Sequence, residues 1–70
     1  MIKQIMKFHS ELKKGESVKI ITALPDYETY VNRTDLLKIE NGALLIFRAN
    51  GARVALNNRY IVSCCIIQRF

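Results

Sequence analysis

The stretch Glu40-Asn41-Gly42-Ala43-Leu44-Leu45-Ile46-Phe47-Arg48-Ala49-Asn50-Gly51-Ala52-Arg53-Val54 decides how this chain folds. It sets an apolar run between two Asn-Gly pairs. Asn-Gly between apolar runs is a strong hairpin signal, because both central residues of a type I′ turn need positive φ. The spacing predicts a meander of three strands: one ending at Glu40, one over residues 43–49 and one over 52–56. Two-residue loops would set Ile39 against Leu44, Leu37 against Ile46 and Leu36 against Phe47 across the first turn. Across the second, Phe47 would meet Val54, Leu45 would meet Leu56, and Arg48 would stand directly opposite Arg53. The middle strand is then apolar on both faces, whereas an antiparallel sheet open to water on one side alternates. Two covered faces imply a closed small barrel or a subunit interface.

Beyond Leu56, Asn57-Asn58-Arg59 spells a short turn, and residues 60–67, rich in Ile, Val and Cys, a last buried strand. Before Glu40, residues 29–34 form a more polar strand that either runs straight into residues 36–40 or bends near Thr34-Asp35. Residues 18–24 are β-branched and stop at Pro25-Asp26, a turn dipeptide. At the start, Ile2, Ile5, Met6, His9 and Leu12 recur at helical steps, with Lys3, Gln4, Lys7 and Glu11 between them. That is an amphipathic helix over about residues 2–13, too short to stand alone in water. The expected fold is mainly β with one N-terminal helix: a single domain over residues 1–70, with a small five-stranded antiparallel barrel over about residues 17–68. At 70 residues the core is meagre, which with the two-faced strands favours a homo-oligomer, a dimer or higher.

Charge narrows the function. The chain has 11 Lys and Arg against 6 Asp and Glu, a formal +5. Residues 36–70 hold Lys38, Arg48, Arg53, Arg59 and Arg69 against Glu40 alone, so the surplus lies in the last strands. A basic surface attracts nucleic acid, anionic lipid or an acidic protein, and equally keeps a small protein soluble. Arg48 facing Arg53 would be like charges across a ladder, which is unfavourable unless an anion bridges them or both splay into solvent. Asn58, Arg59 and Tyr60 share the next turn, and amides, guanidinium planes and rings of this kind read unpaired bases. Turn chemistry explains the Asn pair equally well. Tyr27, Glu28 and Tyr30 form an aromatic, acidic segment that suits a protein contact; alternatively Tyr30 packs in the barrel mouth and Tyr27 is a loop residue.

Catalysis finds no support. Cys64 and Cys65 are strand neighbours pointing to opposite faces, read as two reduced, packed thiols. His9 is the only histidine and continues the apolar stripe, so no metal site is expected. Nothing in the spacing gives Ser10, Ser17 or Ser63 a base, and the three glycines are isolated, so no cofactor is expected. Residues 1–12 lack the apolar core of a secretory signal, and residues 61–67 are far short of the roughly 20 needed to span a bilayer. Cytoplasm is the expected compartment, with no membrane partner.

An N-terminal helix followed by five short bent strands with a tight turn before the last resembles the Sm-like family, its bacterial Hfq members included, within the wider class of SH3-like small barrels. The best local match is Val54-Ala55-Leu56-Asn57-Asn58-Arg59-Tyr60-Ile61, similar to the family's second motif, with Asn57-Asn58 standing where the motif has Arg-Gly. Residues 40–45 follow its Asp-x-x-Asn region loosely, and residues 30–33 lack the first motif's glycine. The resemblance implies a ring-forming RNA binder with the loop at residues 57–60 near the RNA. The leading expectation is thus a non-enzymatic, basic small barrel binding RNA or another single strand through Arg48, Arg53, Asn58, Arg59 and Tyr60. The alternative is a protein-interaction module, a regulator or inhibitor of the kind carried by phages or mobile elements, docking on a larger acidic partner through Tyr27, Glu28 and Tyr30.

Overall fold

A computed structural model describes residues 1–23 and 26–69. Its elements are helix α1 (Ile2–Ser10), strands β1 (Glu16–Thr22), β2 (Tyr27–Asn32), β3 (Leu36–Glu40), β4 (Ala43–Phe47) and β5 (Arg53–Asn57), a single 3-10 turn (Asn58–Tyr60) and strand β6 (Ile61–Gln68). The fold is mainly β with one N-terminal helix. The described strands number six rather than five, because the chain turns at residues 33–35 and separates β2 from β3. They form two antiparallel sheets, ordered β2-β1-β6 and β3-β4-β5. Leu24, the end of the expected first strand, and Pro25 of the expected turn lie outside the described residues.

One core joins the elements. Val18 and Ile20 of β1, Val31 of β2, Leu44 and Ile46 of β4 and Ile61 of β6 are buried together with Ile2 and Ile5 of the helix. Leu37, Val54 and Leu56 pack against this cluster from the edge strands. The helix lies against β1 and β6 and ends at Ser10, three residues short of the expected length, because Glu11 and Leu12 close it with backbone hydrogen bonds to Phe8 and His9. Its stripe is as expected, with Phe8 added at its flank. His9 is half-buried, and its Nε2 lies 3.0 Å from the Asn32 carbonyl oxygen.

The first hairpin has the expected register, Leu36 against Phe47, Leu37 against Ile46 and Ile39 against Leu44. Asn41 at φ 50 and Gly42 at φ 76 form its two-residue turn, as a type I′ turn requires. The second hairpin differs by one residue. Phe47 pairs with Arg53, Ile46 with Val54 and Leu44 with Leu56. Its loop has three residues: the Gly51 N–H donates to the Arg48 carbonyl at 3.0 Å, and the Arg48 N–H to the Ala52 carbonyl at 2.8 Å. Gly51, at φ 92, takes the left-handed position that follows a type I turn in a three-residue hairpin loop. Asn50 adds its side-chain oxygen, which accepts from the Ala52 N–H.

That one-residue shift removes the expected opposition of Arg48 and Arg53. β4 has a buried face, Leu44 and Ile46, which the shift lets Val54 and Leu56 join, and a second face, Leu45 and Phe47, that is only half-buried. Among the described residues the helix covers a different sheet. The cysteines also part company: Cys64 is half-buried against the core and Cys65 is exposed, so only one of the two thiols is packed.

Candidate nucleic-acid interface

The candidate residues fall into three separate places. Arg48 turns inward. Its Nη1 donates to the Asp35 carboxylate at 2.7 Å and to the Tyr30 carbonyl. Asp35 is 2% exposed and also accepts from the Asn32 N–H at 2.8 Å. This ion pair pins the Asn32–Asp35 turn beneath the second hairpin loop, and it answers the question of what balances Arg48 without any bound anion. Sequence spacing missed Asp35 because it stands 13 residues from Arg48, in the turn between the two sheets.

A second group occupies the outer face of β1 and β2. Register sets Lys19 against Tyr30, and Lys19 Nζ lies 3.6 Å from a Glu28 oxygen. The Tyr30 hydroxyl donates to the other Glu28 oxygen at 2.8 Å. That bond, with the Lys19 charge, holds the Glu28 carboxyl below its usual range, and the same bond pushes the Tyr30 hydroxyl up. The Arg69 guanidinium stacks over the Tyr30 ring at 4.3 Å, a cation–π contact. Glu28 and Tyr30 therefore answer each other and two nearby cations, while Tyr27, one strand step away, points to the other side.

The third place gathers residues that the sequence set apart. Tyr27, at the start of β2, and Tyr60, at the end of the 3-10 turn, line one cavity of about 320 Å³, with Leu56 and Asn57 between them. Both rings are substantially open to water, at 55% and 40% exposure. The turn that presents Tyr60 is locally encoded. Asn57 Oδ1 accepts from the Arg59 N–H at 2.9 Å, capping the turn. The Asn58 N–H donates to the Gly42 carbonyl at 3.0 Å, and the Tyr60 carbonyl accepts from the Ala23 N–H at 2.9 Å. These bonds tie the turn to both sheets. Asn58 and Arg59 are exposed on it, and Arg53 is exposed at the far end of β5. No hydrogen bond or ion pair from the Arg53 or Arg59 side chain is made among the described residues, unlike Arg48. The result is an apolar groove with two rings and the Asn57 side chain in its lining, and with Asn58 and Arg59 exposed on the same 3-10 turn as Tyr60. Joining Tyr27 to Tyr60 depends on pairing β2 with β1 and on the crossover to β6, neither of which a local pattern reports.

Among the described residues no three His, Cys, Asp or Glu side chains group as metal ligands, and no helix is long and apolar enough to cross a membrane. No protein-family model matches the chain, and no curated protein or solved structure matches it.

Proposed function

We propose that the protein binds single-stranded nucleic acid, RNA foremost, in the groove between Tyr27 and Tyr60, without catalysing a reaction. The observation that carries this reading is the convergence of two exposed tyrosines on one cavity, with Arg59 on the same 3-10 turn as Tyr60. Aromatic platforms flanked by cations are the common solution for single strands, since every base offers a π-face and every linkage a phosphate. Tyr27 and Tyr60 stack bases, Asn58 bonds base edges or sugars, and Arg59 neutralises phosphate. Arg48 has no part in it, being committed to Asp35. The same proposal takes the two sheets, which share one core, as halves of a small barrel of the SH3-like or Sm-like kind, with the loop at residues 57–60 on the RNA side.

Fluorescence anisotropy with a labelled single strand of about 12 nucleotides tests it, that length lying within the usual site size of one small barrel. Binding at low salt is expected to weaken about threefold between roughly 50 and 200 mM salt, as neutralisation of one phosphate by Arg59 requires. Tyr60→Ala and Tyr27→Ala are each expected to cost about 10-fold in affinity, the worth of one stacked base. Absence of binding at low salt, or wild-type affinity in both variants, contradicts the proposal.

A further inference from the structure

The outer face of β3-β4-β5 is apolar at its centre and charged at two corners. Alternation along each strand puts Leu45 in the middle of this face, with Phe47 and Ala55 beside it and Leu36, the most exposed of the large apolar side chains described, at one corner. Glu40, Leu45, Phe47, Arg53 and Ala55 line one shallow depression of about 390 Å³. By register, Glu40 sits at one end of β3 and Arg53 at the opposite end of β5. The acid and the base thus occupy diagonal corners of a three-by-three grid whose centre is Leu45.

We propose that this face binds a second copy of the chain, with a two-fold axis lying in the interface along the other diagonal, from Leu36 to Asn57. A two-fold interface brings the same patch onto itself. Reflecting the grid across that diagonal sets Glu40 of each copy against Arg53 of the other, twice. It brings Leu45 onto Leu45 and lays the Lys38 stem across the second copy's Phe47. The strands of the two copies then cross at about 70°, closer to the orthogonal than to the aligned way for sheets to pack. A neutral or single-sign patch would not select this partner; opposite charges on the exchanging corners do. Glu40 is free to switch, because its contact with Lys38, at 3.5 Å, is between two exposed side chains and such pairs contribute little. Strands about 4.8 Å apart with same-face residues every ~6.8 Å give a contact about 10 by 14 Å between outer Cα rows. That is well under the roughly 800 Å² per partner of a standard stable interface, so the dimer is weak and reversible. This surface is separate from the tyrosine groove, and the dimer needs no nucleic acid.

Sedimentation equilibrium on nuclease-treated protein, from about 1 µM to 1 mM, tests the pairing. The wild type is expected to pass from monomer to dimer across that range. Glu40→Arg and Arg53→Glu, both at exposed positions that leave the core intact, are each expected to weaken association about 10-fold or more, because each juxtaposes like charges twice. Combining them exchanges the corners and is expected to restore association to within about threefold of wild type. Leu45→Glu abolishes it, and Tyr27→Ala leaves it unchanged. A wild type that stays monomeric throughout leaves this face to some other partner and overturns the proposal. So does a double variant no better than the singles.

Discussion

Arg48 is the residue whose reading changes most between chain and fold. From spacing alone it is half of a repulsive pair awaiting an anion. In the structure it is the cation of a part-buried ion pair, its side chain 22% exposed and that of Asp35 3%. Removing one member of such a pair strands the other charge in the interior, at a cost of about 3 kcal/mol. Arg48→Ala is therefore expected to lower the melting temperature by roughly 10 °C or more in a domain this small, where relief of repulsion would raise it. Thermal denaturation followed by circular dichroism decides between the two. Cys64 and Cys65 separate at the same scale. Cys64 packs against the core and its sulfur donates to that of Met1 at 3.6 Å, and burial pushes its thiol up. Because the thiolate is the reactive form, Cys64 is expected to be alkylated more slowly than exposed Cys65 near pH 8. Mass spectrometry of a partial iodoacetamide reaction checks the order, and equal rates would contradict the packing described.

At the scale of elements, the two hairpins show what a local pattern holds. Asn41-Gly42 and Asn50-Gly51 are the same dipeptide, and both turn the chain as expected. The first closes a two-residue loop and its register was legible. The second puts its glycine at the last position of a three-residue loop, and nothing within the dipeptide distinguishes the two. A slip of one residue exchanges the faces of a strand, which is why Arg53 lies opposite Phe47 and why Val54 and Leu56 join Leu44 and Ile46 on the buried side. Gly51→Ala tests the left-handed position at the end of this loop. At φ 92, with nothing within 4 Å of the added methyl, the cost is backbone strain alone, about 1–2 kcal/mol, read as a lower melting temperature without change in secondary structure. The helix and the last strand were legible from periodicity and β-branching. The break between β2 and β3 was left open by the sequence, because Thr34-Asp35 becomes a turn only through the Asp35 bonds to Asn32 and Arg48.

The whole molecule has a radius of gyration of 11.2 Å, close to the ~11 Å of a compact chain of this length. Its core is filled by packed aliphatic side chains from helix and both sheets, so recognition is left to the surface. On that surface the acid-free stretch from Asn41 onward places its arginines differently: Arg48 supports the fold, Arg53 marks the corner of an apolar face, and Arg59 is exposed on the 3-10 turn beside Tyr60. The sequence located the basic surplus and half of the groove, Tyr60 with its turn. It separated Tyr27 from them, because only the tertiary crossover brings β2 beside the 3-10 turn. The groove is tested most directly by amide chemical-shift mapping as an unlabelled single-stranded RNA is added to isotope-labelled protein. The expected result is saturable shifts concentrated at Tyr27 and residues 56–60, with the amides of Lys19 and Tyr30, toward the outer face of β1 and β2, unmoved. Shifts centred elsewhere, or none at low salt, would contradict a nucleic-acid site between Tyr27 and Tyr60.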